Sequence, residues 1–326
     1  MRKINEDIKN EKYEKIYLLY GTEEYLKKQY KNKIKTAICG DDTMNYSYFE
    51  GKDCDVKEII GIAETLPFFA DRRLVIMEHT GFFKSANDNI NDYIENVPDT
   101  TCLVFIENEV DKRSKLFKKI KELGYVSEMA EQKQATLEKW IKGIFKENNI
   151  KIGDDSIELF LKCVGSDMEN ISKELEKLIC YCYGKDVVTN EDIEAVCTVQ
   201  ISSRIFDMID AMSSKNRNKA LQLYNDMMAL KEPPMRILFM LARQFNIMLQ
   251  VHELYSRGMA NGEIASKVGI QPFIVGKIVK QLGIKNGFTG KTLVAALEDC
   301  VNIENDIKNG RMDDNAGVEM ILIKYS

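Results

Sequence analysis

The sequence predicts an α/β domain followed by all-α domains, and three observations carry that prediction. Over the first 140 residues or so, short apolar runs alternate with amphipathic stretches, the pattern of a parallel sheet flanked by helices. The run Cys-Leu-Val-Phe-Ile at 102–106 is apolar throughout, as a strand covered on both faces must be. Beyond about residue 140 the strand signal disappears and apolar residues recur at helical spacing.

Taken in order, strands are expected at 16–20, 46–50, 73–77, 102–106 and 125–129, with helices near 23–38, 55–66, 87–96, 113–123 and 134–148. The connections are short, which suits successive strand–helix units. Ile157, Phe160, Leu161 and Val164 then mark one helical face, and Ile171, Leu175, Leu178 and Ile179 a second. Gly165, Ser166 and Asp167 separate them, with Asp167 placed to cap the second helix, and a third helix starts at Thr189. Further helices are expected at 205–213, 219–230, 235–257, 261–268, 272–282, 289–310 and 318–325, with Pro233 and Pro234 just ahead of one of them. This gives three domains: 1–140 α/β, 141–210 a small helical lid, and 211–326 helical.

Composition narrows the function classes. The 326 residues are 44% hydrophobic and 30% charged, enough for a sizeable core. No apolar run reaches the roughly 18 residues of a membrane-spanning helix. The charged start MRKINEDIKNEKYEK has no apolar stretch behind it, so neither a secretory signal nor a membrane partner is expected, and the expected location is cytoplasmic. Eight scattered cysteines, Cys180 and Cys182 the closest pair, and two isolated histidines, His79 and His252, lack metal or redox spacing. Of the 46 Lys and Arg, 15 lie from residue 211 on, against 11 of the 51 Asp and Glu, so that segment is +4 within a chain of −5. A generic nucleic-acid binder carries a stronger basic excess.

A strand–glycine–helix opening raises the question of nucleotide binding. A P-loop needs glycine-rich backbone to cradle phosphate and a Gly-Lys-Ser/Thr to complete the site. The turn here reads Tyr20-Gly21-Thr22-Glu23-Glu24-Tyr25-Leu26, with one glycine and two carboxylates that would repel phosphate. As helix residues they make sense, with Thr22 the expected cap and Glu23 and Glu24 at the positive helix end. Glu107 ends the later strand without the acidic pair that would hold magnesium, and is expected to be solvated. The framework is ATPase-like, and no cofactor is implied.

Six segments in order, IYLLYGTEEYLKKQ, ETLPFFADRRLVIME, VGSDMENISKELEKL, IFDMIDAMSSKNRNKAL, RILFMLARQFNIMLQVHEL and ENDIKNGRMDDNAGVEMILIKY, give the chain its resemblance to the bacterial DNA polymerase III clamp-loader delta family. The resemblance implies an AAA+-like α/β domain and lid without ATPase activity, plus a C-terminal helical collar. It also implies partners: the beta sliding clamp, which the first domain binds and opens, the tau/gamma and delta-prime subunits at the collar, and primer-template DNA through the assembled complex.

Family members present an apolar pair from the end of the helix before the third strand. Here the matching residues are Phe68 and Phe69, with Leu66 and Arg72 beside them in the clamp-binding set, although Leu66 also reads as an anchor into the core. Pro67 and Asp71-Arg72-Arg73 end the helix and hold the pair in a turn. The alternative is that the two rings close the core beneath the helix. Phe82-Phe83, a second pair, is assigned to packing. The stretch 260–279 also reads as a helix-turn-helix, with Ile264 and Ala265 packing on Val275 and Ile278 across Gly269, which keeps a DNA-binding regulator open. Its helix, however, starts Gln271-Pro272-Phe273 and offers Lys277 and Lys280 as its only charges, which suit phosphate rather than base contacts. No paired acid/base set or nucleophile arrangement supports an enzyme.

Overall fold

The computed structural model describes residues 1–84, 88–198, 201–270, 272–283 and 287–326. It divides into two compact units, Met1–Gln134 and Ala135–Ser326.

The first unit contains α1 (Arg2–Asn10), β1 (Ile16–Tyr20), α2 (Glu24–Cys39), β2 (Tyr46–Glu50), α3 (Val56–Glu64), β3 (Arg73–Glu78), α4 (Asp88–Tyr93) with a 3-10 turn at Ile94–Asn96, β4 (Thr101–Glu107), α5 (Lys115–Leu123) and β5 (Tyr125–Glu128). The strands form one parallel sheet in the order β2-β3-β4-β1-β5. Every residue of β1 and β4 is buried, which is why those strands read as unbroken apolar runs rather than alternating ones. The edge strands β2 and β5 are partly exposed. Phe82 and Phe83 enter the core with Leu18, Val75 and Phe105, as expected of that pair.

Three local expectations change. A helix, α1, precedes the first strand; its charged sequence hid it, because its buried face includes Asp7, which accepts a hydrogen bond from the Tyr17 hydroxyl at 2.8 Å. The helix at 55–66 stops at Glu64, and the expected start of the helix at 87 lies outside the described residues. The cap of α2 is Glu23, whose side chain accepts from the Tyr25 amide, and not Thr22.

The second unit opens with α6 (Gln134–Glu147), β6 (Lys151–Ile152), α7 (Asp154–Val164), α8 (Met168–Tyr181), β7 (Val187–Val188) and α9 (Asn190–Val196). β6 and β7 pair in parallel, a two-residue ladder where no strand was expected; it is too short to show a period. Asp167 caps α8 and Thr189 caps α9, the latter in a reciprocal pair with Asp192. Then follow α10 (Ile201–Ser213), α11 (Arg217–Ala229), α12 (Pro234–Ser256), α13 (Asn261–Val268), α14 (Pro272–Leu282), α15 (Gly290–Lys308) and α16 (Asp314–Tyr325).

One hydrophobic cluster runs from Ile205 to Tyr325, built around α12, whose Leu241, Phe245 and Met248 are completely buried. Pro234 sits in the first turn of α12, where its missing N–H costs nothing. Ile264, Ala265, Val275 and Ile278 join this cluster, so the helix-turn-helix-shaped segment packs as its apolar pattern requires. Gln281 of α14 donates to Asp210 of α10 at 2.9 Å, tying that helix into the bundle, while Gln271 lies outside the described residues.

Gly21 holds the first turn of the sheet. Its φ is +133°, and a Cβ there would lie 2.3 Å from the Met129 carbonyl oxygen. Gly21→Ala is therefore expected to destabilise the first unit by roughly 2–4 kcal/mol through strain and overlap, visible as a lowered melting transition in circular dichroism.

Candidate functional site

In a sheet of this order the usual ligand crevice lies beyond the strand ends where the order reverses, here at β1 between β4 and β5. The turn after β1 is closed on itself. The Gly21 amide donates to the Glu107 carbonyl at 3.1 Å, and the Glu23 amide to the Met129 carbonyl at 2.9 Å. The Tyr25 amide donates to the Glu23 side chain at 3.3 Å. Three backbone amides of the turn, the kind of donor that a P-loop turns toward phosphate, are thus engaged within the chain.

Lys27 completes the closure. It stands six residues after Gly21, the spacing of a P-loop lysine, a position masked in the sequence because Leu26 replaces the second glycine. Its ammonium is buried, 2.8 Å from the Glu24 carboxylate and bonded to the Asn108 side chain. Glu107 departs from expectation. It is 5% exposed, and its carboxylate accepts from the Thr80 hydroxyl at 2.8 Å and the Gly81 amide at 3.0 Å. It ties the turn after β3 to the end of β4.

The second feature is the loop between α3 and β3. Phe69 is 95% exposed and Phe68 55%, their rings edge to face with centroids 4.5 Å apart. The rings therefore do not close the core. Leu66, expected also as a core anchor, is 74% exposed, because the chain leaves α3 at Glu64 and turns outward. Leu66, Phe68 and Phe69 thus come together on one solvent-facing loop. Arg72 does not join them: its guanidinium lies 5.7 Å from the Tyr13 ring centre and donates to the Tyr13 carbonyl at 3.3 Å.

Two buried polar side chains hold this loop. Asn45, with no exposed surface, accepts from the Phe68 amide at 2.6 Å and donates to the Phe68 carbonyl at 2.8 Å. Its second amide hydrogen goes to Asp42 at 2.5 Å. Hydrogen bonds from the Asn45 side chain and the Met44 amide keep the Asp42 carboxyl below its ordinary pKa range. Arg73 donates to the carbonyls of Thr65 at 3.0 Å, and of Met44 and Leu66 at 3.4 Å. Phe69 takes φ +49°, a backbone state that costs a non-glycine residue of order 1 kcal/mol. Arg73 belongs to the cluster expected to hold the pair in its turn, whereas Asn45 lies 23 residues before Phe68 and nothing in periodicity marks it.

Truncating Arg73 leaves three carbonyls without their donor. Arg73→Ala is expected to lower the unfolding free energy by about 2–3 kcal/mol, measured by urea denaturation, with Arg73→Lys in between.

Comparison with known proteins places these features in a family. The model for the DNA polymerase III delta subunit matches residues 17–130, and the model for its C-terminal domain matches residues 202–325. The chain is 24% identical over 322 residues to the DNA polymerase III subunit delta of Bacillus subtilis, covering 95% of this chain and 92% of that one. It is 21% identical over 309 residues to a probable DNA polymerase III subunit delta of Aquifex aeolicus, covering 91% and 83%. The solved Bacillus subtilis DNA clamp loader delta protein shares the fold, with a TM-score of 0.79 at 23% identity over 99% of this chain and 98% of that one.

Proposed function

The chain belongs to the DNA polymerase III delta-subunit family, a component of the DNA clamp loader, and from that premise we propose that it binds the beta sliding clamp through Phe68 and Phe69 and opens the ring without hydrolysing ATP itself. The observation that carries this reading is the pair of phenylalanine rings held in water on a loop fixed by buried polar side chains. Monomeric proteins seldom expose adjacent large rings without a partner for them. Exposed rings on a pre-set backbone are the form that interface hot spots take, each contributing about 2 kcal/mol on burial before ordering costs.

A binder opens a ring by preferring it open. Its differential affinity for the open form shifts the equilibrium by that amount and no more, so the wrench needs no chemistry of its own. The closed turn at Gly21 and the internally paired Lys27 support a subunit whose nucleotide site has been replaced by structure. Hydrolysis then belongs to neighbouring tau/gamma subunits, which, with delta-prime, meet this chain at the collar.

The segment 141–210 is assigned as the lid and 211–326 as the collar, with α10 at their junction, since Ile205, Met208 and Ile209 of that helix pack into the cluster that ends at Tyr325. Exposed Phe239 on α12, Val301 on α15 and Ile323 on α16 offer that collar apolar surface for its neighbours. Primer-template DNA is reached through the assembled complex in the cytoplasm; among the described residues no helix is long and apolar enough to cross a membrane.

Phe68→Ser combined with Phe69→Ser is expected to keep the wild-type melting curve, since both rings lie outside the core. Clamp binding by surface plasmon resonance should fall by at least about 100-fold, from roughly 2 kcal/mol lost per ring. Unchanged affinity would remove the pair from the interface. The purified chain is also expected to show no ATP turnover; turnover abolished by Glu107→Gln would restore an enzymatic reading.

A further inference from the structure

The loop that presents the rings is only half of a bracket. The other half is the short segment between α2 and β2, where Asp42, Met44 and Asn45 lie. Met44 is 64% exposed, an unusual place for a flexible apolar side chain. Its carbonyl shares the Arg73 guanidinium with that of Leu66, and its neighbour Asn45 is bonded to both sides of the Phe68 peptide. The two loops are thus cross-linked at their tips by hydrogen bonds from side chains that are themselves buried. Met44, Leu66, Phe68 and Phe69 emerge together from that junction as its exposed apolar residues.

We infer that the clamp-docking surface spans both loops, with Met44 a contact residue on the first and Asn45 the positioning residue that sets the Phe68–Phe69 pair. The inference rests on the reading of the ring pair as the clamp contact, and extends it by continuity of apolar surface. The role of Asn45 follows from its bonding capacity. One carbonyl oxygen and two amide hydrogens are all engaged, two of the three with Phe68 and one with Asp42. At neutral charge this short amide offers Phe68 both a donor and an acceptor and keeps a second donor for Asp42. The bracket also supplies what the left-handed backbone at Phe69 requires, a fixed peptide immediately before it. Without it the rings would sample many orientations and binding would carry the ordering cost.

The test uses the full chain and the sliding clamp of the same organism, with affinity measured by surface plasmon resonance and folding by thermal melt. Met44→Ser, at an exposed position, is expected to leave the melt unchanged and weaken clamp binding about fivefold. Asn45→Ala should weaken it by about tenfold or more at a temperature where the variant is fully folded. Asn45→Asp separates positioning from mere stability. When protonated, its acid group can accept from the Phe68 amide and donate to the Phe68 carbonyl, as the native amide does. When ionised it loses the donor and faces the Asp42 carboxylate, with the Arg73 guanidinium and the Cys39 thiol the other titratable groups near residue 45.

Burial and Asp42 raise the pKa of that new acid and the Arg73 guanidinium lowers it; with the site enclosed, burial and Asp42 are expected to prevail, so the affinity of Asn45→Asp relative to wild type should recover as the pH is lowered. A ratio flat with pH, or Met44→Ser and Asn45→Ala both within about twofold of wild type while the Phe68/Phe69 double variant loses binding, overturns this inference and leaves the ring-pair contact standing. Full binding by the double variant overturns both.

Discussion

Burying a phenylalanine ring is worth about 2–3 kcal/mol, so a chain that leaves two of them in water must hold them there against a steady pull inward. In this protein the restraint is the Asn45 side chain, bonded to both the amide and the carbonyl of Phe68. A buried amide with any of these bonds unmade would be costly, so the pairing is close to obligatory once Asn45 is enclosed. Arg73 adds the second tie, joining the carbonyls of both loops at the start of β3. The sheet anchors these side chains, since the Leu74 amide donates to the Asn45 carbonyl at 2.8 Å at the β2–β3 edge. A rigid parallel sheet, two buried polar side chains and two exposed rings form one mechanical chain from core to tip.

The opposite end of the logic lies at the turn after β1. There the fold keeps the position of a phosphate site and turns several of its donors inward. Gly21 and Glu23 donate to main-chain carbonyls, and Lys27 is paired with Glu24. Glu107, buried under Thr80 and Gly81, fastens neighbouring strand ends together. A group with its donors committed is a structural brace rather than a receptor. This bonding suits the proposed role, in which the subunit works through a pre-set surface and not through a nucleotide of its own.

Much of the fold was legible because burial on both faces leaves an unmistakable mark: β1 and β4 are continuous apolar runs. The helices of the second unit declared themselves by spacing and by caps such as Asp167 and Thr189. What escaped was set by contacts distant in sequence or by elements too small for a period. α1 buries an aspartate against Tyr17, so its inner face did not look apolar. The β6–β7 pair is two residues long. Leu66 was read partly as core because leucine usually is, yet its exposure is decided by Arg73 and by the end of α3. The rings at 68 and 69 were found through a family resemblance; the asparagine that aims them, 23 residues earlier, had no local signal at all.

In the proposed function a pre-set loop of the first unit, and not the helical bundle, meets the clamp. Hydrogen–deuterium exchange across the whole chain, with and without the sliding clamp, reads this directly. New protection is expected at residues 41–45 and 66–72, with the bundle from α10 to α16 unchanged. Protection confined to the bundle, with the loops exchanging as freely as before, would contradict it.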